Sequence, residues 1–219
     1  AEHPEWVLGG PRYGGRDALD FGRDEVVEHV FRLLEEAATR YDADGLELDF
    51  NRFPRFFKDD CPEEERVRRM TALLWRVRGM LDAISVERGR RIVLAVRVPS
   101  EYGRTPPTPA SARARGCDVA AWVAAGLVDH VTVSEFLFER GDLPVEAWSK
   151  ALAGVSLAFG IECTTGSGKD NLSADEYRAA AAKLRDRGAT GVYLFNFFTS
   201  RERGAEAVDP PFDVLDDLV

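Results

Sequence analysis

Two carboxylates lie in a segment whose other residues are typical of a buried strand. In residues 45–50, GLELDF, Glu47 and Asp49 alternate with apolar side chains. Because successive side chains of a strand point to opposite faces, the two acids share one face, roughly 6–7 Å apart at Cα. Burying carboxylates without partners is costly, so a structural or chemical use must justify them. We take this acid pair as the centre of a candidate site.

Further polar residues lie near the ends of four later segments of strand-like composition. These predicted strands are Ile92–Pro99, Val128–Phe136, Val155–Cys163 and Gly191–Phe198. The polar residues that they carry are Arg97, Glu135, Glu162 and Asn196. If all five strands run parallel, these groups and the acid pair meet at one edge of the sheet.

Amphipathic segments separate the predicted strands. Apolar residues at spacings of three and four, capping residues and glycine stops predict helices at Glu25–Tyr41, Pro62–Arg88, Asp118–Gly126, Pro144–Leu152 and Ser173–Gly188. Strands that alternate with helices indicate βα units and a parallel sheet. Three tryptophans on these helices are predicted to be core residues, namely Trp75, Trp122 and Trp148.

The five βα units predict an α/β protein of the (β/α)8 barrel type, truncated or divergent, because a closed barrel typically takes about 250 residues. The chain opens with AEHPEWVLGG, without an initiator Met or a signal-peptide pattern, as if it followed a missing strand. It is either a fragment of a longer barrel, or Trp6–Leu8 and Ala18–Phe21 supply irregular strands. We expect one domain over residues 1–219, with an open doubly wound sheet as the alternative.

Composition excludes several classes of function. A formal charge of −9 argues against a nucleic-acid partner. No apolar run approaches the ~20 residues that cross a bilayer, which predicts a soluble protein without a membrane partner, either in the bacterial cytoplasm or secreted or periplasmic. The three cysteines form no CxxC pair, and TTGSGKD at residues 164–170 fails the phosphate-loop pattern at both ends. We therefore expect no cofactor.

The run Leu19–Phe57 resembles the bacterial glycosyl-hydrolase-like barrels, a TIM-barrel group related to the glycosyl hydrolase-like ten family. The matching positions are Asp20, Tyr41, Asp44, Gly45, Asp49, Arg52 and Pro54. The similarity is tight over about forty residues and architectural beyond them. It implies a (β/α)8 barrel that acts on carbohydrate, or descends from proteins that do.

Aligned in this way, the acid pair lies on the fourth barrel strand and Glu162 on the seventh. Retaining glycosidases of the large TIM-barrel clan carry their acid/base and nucleophile on these strands. The resemblance thus implies Asp49 or Glu47 as proton donor and Glu162 as nucleophile or base, the two carboxyl roles of glycoside cleavage. The supporting residues would be Arg52 and Arg97 holding a carboxylate ionised, Asn196 and Tyr102 binding sugar hydroxyls, Trp6 or Phe53 stacking on a sugar ring, and Glu135 at a further strand end.

Three alternatives stay open. The barrel could bind carbohydrate without cleaving it, or Glu47, Asp49, Glu135 and Glu162 could hold Mg²⁺ or Mn²⁺ for a lyase, isomerase or hydrolase. Glu47 and Arg97 could also form a purely structural salt bridge. An open sheet edge would favour a homo-oligomer.

Overall fold

The computed structural model describes residues 3–9, 18–51, 54–99, 107–134, 143–162, 172–199 and 208–218. Within these ranges helices and strands alternate along the chain. The strands are β1 (Gly45–Asp49), β2 (Val93–Arg97), β3 (His130–Val133), β4 (Ser156–Glu162) and β5 (Gly191–Phe195). The helices are α1 (Asp24–Arg40), α2 (Glu63–Arg88), α3 (Pro109–Ala114), α4 (Val119–Ala124), α5 (Val145–Ala151) and α6 (Ala174–Asp186), with short 3-10 helices at Pro4–Trp6 and Phe212–Asp217.

The strands form one parallel sheet in the order β1-β2-β3-β4-β5. Sequential order with a helix between neighbouring strands is the arrangement of a (β/α)8 barrel, and the alternative of a doubly wound sheet would require a reversal of strand order. In the described part of the chain β1 and β5 are the edge strands.

One face of this sheet packs against the helices and forms the core. Its residues are β-branched, aliphatic or aromatic and almost fully buried, among them Leu94, Val131, Val133, Leu157 and Phe159. Trp122 of α4 and Trp148 of α5 are fully buried in the same core, as predicted. Trp75 of α2 is 56% exposed, so its predicted place in the core is wrong.

The segment before α1 pairs with itself and does not extend the sheet within the described residues. Val7 and Leu19 form an isolated antiparallel bridge, with Leu8 N–H donating to Ala18 O at 2.8 Å. The irregular strands considered for Trp6–Leu8 and Ala18–Phe21 are thus this bridge. None of the helices in the described ranges combines the length and the apolar character needed to cross a membrane.

Candidate functional site

The second face of the sheet, which we call the inner face, carries the polar residues. Strand register places Asp49 beside Arg97, Arg97 beside Thr132 and Glu162 beside Phe195, all on this face. Asp49 and Glu162 are the last residues of β1 and β4. The prediction that both acids lie on one face at the carboxyl ends of parallel strands is confirmed.

Arg97 lies at the centre of the inner face and is only 3% exposed. Its Nη1 is 3.3 Å from Oδ2 of Asp49, and its Nε donates to Oγ of Ser134 at 2.6 Å. The predicted ion pair with an acid of β1 is therefore present, as a single contact through Nη1. Such burial suits contact with a carboxylate of the site better than direct contact with a substrate.

Ser134, which follows β3, forms the floor beneath this ion pair. Besides Arg97 it binds Asn51, whose Nδ2 donates to Ser134 O at 2.9 Å and to Ser134 Oγ at 3.1 Å. Asn51 and Ser134 are 0% and 1% exposed. Gly160 on β4 makes room for them, because a Cβ at that position would lie 2.3 Å from the Cβ of Ser134.

Two aromatic rings of β5, the edge strand opposite β1, contact Arg97 on the inner face. The guanidinium carbon is 5.1 Å from the ring centroid of Tyr193 and 4.7 Å from that of Phe195, which are cation–π distances. Since β3 and β4 lie between these strands, the sheet must curve towards its inner face to bring them together. The intervening inner-face residues are small: Thr132, Ser134, Ala158 and Gly160.

The two acids of β1 occupy different electrostatic environments. Asp49 meets two donors, Nη1 of Arg97 and the backbone N–H of Asn51 at 2.8 Å, which complement a negative charge. Burial, and after it the charge of Asp49, raise the pKa of Glu47, against the opposing effects of Arg97 and of the Thr132 hydroxyl 3.4 Å away. Glu47 keeps a solvent-exposed side, while nearby protein removes part of the water from its carboxyl.

Glu162 and Asn196 lie at the ends of neighbouring strands. Glu162 is half-buried and its Oε2 is buried. Asn196 follows β5 with a φ of 55°, the left-handed region that asparagine tolerates better than most residues. Both therefore lie at the carboxyl ends of their strands, where the sequence placed them, and their proposed roles stay predictions.

The remaining predicted site residues are not brought to the inner face by the described structure. Trp6 stacks on His3 at 4.1 Å between ring centroids and lies 5.4 Å from His29 of α1, so its predicted sugar stacking is unsupported: its ring packs against the helical layer. Four residues lie outside the described ranges, namely Arg52, Phe53, Tyr102 and Glu135.

The metal-dependent alternative gains no support from the described residues, which contain no group of three or more acidic, histidine or cysteine side chains arranged to hold an ion. Glu135, one of its four proposed ligands, is outside the described ranges.

Three residues of the site were missed in the sequence: Asn51, Ser134 and Tyr193. Each carried a usable signal. Tyr193 alternates with Gly191 and Phe195 on β5, which places it on the same face as the polar group, and Asn51 and Ser134 directly follow strands. The apolar composition of GVYLFNFF favours a core position for Tyr193, so its place in the site was not predicted.

Solved structures that share this fold include two with TM-scores above 0.5. The 3-dehydroquinate dehydratase from Geobacillus kaustophilus HTA426 has a TM-score of 0.51 at 18% identity, over 77% of this chain and 56% of that one. The PgaB (BpsB) glycoside hydrolase domain from Bordetella bronchiseptica has a TM-score of 0.55 at 14% identity, over 89% of this chain and 65% of that one. This chain thus spans less than two thirds of either protein.

Comparisons with protein-family models and with curated protein sequences found no match. At identities of 18% and 14% the structural likeness shows the fold and leaves the activity open. The chain is an α/β protein of the TIM-barrel type, with five parallel strands and their surrounding helices in the described ranges.

Proposed function

We propose that this chain hydrolyses glycosidic bonds and that Glu47 is the general acid. The observation that carries the proposal is the unequal environment of two neighbouring acids. Burial and the charge of Asp49 raise the pKa of Glu47, whereas Asp49 meets a guanidinium and a backbone N–H. Glycoside cleavage needs one carboxyl that donates a proton, and a raised pKa suits Glu47 to that role.

The chemistry divides among three acids of the inner face. Glu47 gives its proton to the glycosidic oxygen as the bond to the anomeric carbon breaks. Asp49, held by Arg97, stabilises the positive charge that develops on the sugar ring. Glu162, at the end of β4, is the second carboxylate that attacks the anomeric carbon or takes a proton from the attacking water.

The structural neighbours support this proposal only in a general way. PgaB from Bordetella bronchiseptica contains a glycoside hydrolase domain with this fold, so the fold accommodates such chemistry. The dehydratase from Geobacillus kaustophilus has the same fold, so the fold does not select between the two activities. The choice of glycoside hydrolysis therefore rests on the environments of the acids on the inner face.

The test is hydrolysis by the wild type and by Glu47→Gln, with Glu35→Gln on the exposed side of α1 as the matched control. The substrates are aryl glycosides together with cellotetraose, chitotetraose, xylotetraose and mannotetraose. We expect Glu47→Gln to lose about 10²–10⁴-fold in kcat, since glutamine keeps the shape but cannot donate the proton. Glu35→Gln should match the wild type.

Two outcomes would contradict the proposal. Equal activity of Glu47→Gln and wild type would remove Glu47 from the reaction. A wild type that binds one of the tetrasaccharides, measured by titration calorimetry, without cleaving it would support the carbohydrate-binding alternative instead.

A further inference from the structure

Tyr193 is partly accessible, unlike the fully buried polar residues around Arg97. Arg97, Thr132 and Ser134 are 3%, 0% and 1% exposed and form a closed floor. Tyr193 is half-buried, and the side chain of Asp49 is 45% exposed. A ligand that enters over the floor therefore meets the acids of β1 on one side and the phenol of Tyr193 on the other.

The residues of β4 that pair with Tyr193 and Gly191 on the inner face are small. Tyr193 pairs in register with Gly160, and Gly191 pairs with Ala158. A glycine is required at position 160, since a Cβ there would collide with Ser134. The inner-face residues of β3 and β4 between Tyr193 and the acid pair are therefore short, and Arg97 contacts both Asp49 and Tyr193.

The acid pair and Tyr193 offer complementary hydrogen-bonding groups on the inner face. The acid pair supplies acceptors, and the phenol supplies a donor, because a tyrosine hydroxyl ordinarily keeps its proton at neutral pH and burial raises the pKa of Tyr193 further. A ring that carries several hydroxyls can donate to one side and accept from the other. We infer that Tyr193 hydrogen-bonds a hydroxyl or ring oxygen of a neutral pyranose held between β1 and β5. This inference rests on the proposed function for its ligand.

The experiment uses Tyr193→Phe, which retains the ring against Arg97 and removes only the hydroxyl. Tyr41→Phe is the matched control, because Tyr41 is 62% exposed beyond the end of α1. The probe is whichever of cellotetraose, chitotetraose, xylotetraose and mannotetraose the wild type binds most tightly. We expect kcat/KM for that sugar to fall about tenfold in Tyr193→Phe, the typical effect of one hydrogen bond. The melting temperature should stay within about 2 °C.

The pH profile separates contact with ligand from an effect through Glu47. A direct contact leaves the profile of kcat/KM unchanged in shape, whereas a shifted basic limb would show that Tyr193 acts on Glu47 and would overturn the inference. Unchanged kcat/KM, or no binding of any of the four sugars, would overturn it too.

The binding measurement is repeated in the Glu47→Gln background, where it does not depend on turnover. If the wild type binds a sugar but cleaves none, the proposed hydrolysis fails, and about tenfold weaker binding by Tyr193→Phe still supports the contact. If hydrolysis depends on Glu47 but neither binding nor kcat/KM depends on the Tyr193 hydroxyl, only the present inference fails.

Discussion

The carboxyl of Glu47 is easier to protonate in the folded chain than in the unfolded one, because burial and Asp49 raise its pKa from 4.5. A group whose pKa is raised on folding stabilises the fold fully at pH values below its pKa in the unfolded chain. That contribution is lost as the pH rises through its pKa in the folded chain. Glu47→Gln cannot ionise. We therefore expect the free energy of unfolding of the variant, relative to that of the wild type, to be higher at pH 7 than at pH 4. Urea unfolding at both pH values measures this. Parallel pH dependence of the two proteins would contradict it.

Gly160 is the residue on which the floor of the site depends. In Gly160→Ala the new methyl group would meet the Cβ of Ser134 at 2.3 Å, so Ser134 must move away from Arg97 or the strands must separate. Overpacking of this kind costs about 1–3 kcal/mol. Gly79→Ala on α2 is the control: its Cβ would meet nothing within 4 Å, and alanine favours the helix by up to about 1 kcal/mol. The melting temperature should fall in Gly160→Ala and rise in Gly79→Ala. A higher melting temperature of Gly160→Ala would contradict the prediction.

At the level of single residues, strand alternation was sufficient to place the acids but not their partners. The period of two put Glu47 and Asp49 on one face, as the register of β1 with β2 confirms. It could not show that Tyr193 approaches Arg97, because that contact joins strands separated by two others. Contacts of this kind depend on the curvature of the sheet, which no local pattern encodes.

At the level of elements, the predicted helices and strands agree with the structure to within a few residues, except for α3. That helix begins at Pro109 after a Thr108 cap, in which Ser111 takes the place that glutamate or glutamine usually has in a capping box. The proline-rich segment before it therefore predicted only a loop. Trp75 was misplaced because it follows Leu74, and one residue turns a helix by about 100°, enough to move from core to solvent.

A buried arginine connects α2 to the amino-terminal side of the sheet. Arg78 binds Asp82 at 2.7 Å, Asp129 at 3.1 Å and Ile92 O at 2.9 Å, and its side chain is 4% exposed. Arg78→Met should lower the free energy of unfolding by about 3 kcal/mol, the lower end for a broken buried pair, since Asp129 keeps Arg91. Arg68→Met, an exposed pair on the same helix, should change it little. Urea unfolding of both variants tests the comparison, and equal effects would contradict it.

On the scale of the whole molecule, Arg97 connects the two ends of the sheet. It pairs with Asp49 of β1 and packs on Tyr193 and Phe195 of β5, the edge strands among the described residues. A curved sheet of five strands with a polar inner face is part of the architecture that a (β/α)8 barrel closes. The same residue that orders the acid of the site thus also stabilises the curvature.

The Asp49–Arg97 pair predicts an asymmetry between its two deletions. Asp49→Ala leaves the buried guanidinium of Arg97 without its carboxylate partner, which should cost about 3–5 kcal/mol. Arg97→Met leaves a carboxylate whose side chain is 45% exposed and can be hydrated, so the loss should be about 2 kcal/mol, mainly the cation–π contacts. Urea unfolding gives both values. Amide hydrogen exchange in Arg97→Met should rise in β5 as well as in β1, because the lost guanidinium contacts both strands, and a rise confined to β1 and β2 would show that the two edges are not linked through Arg97.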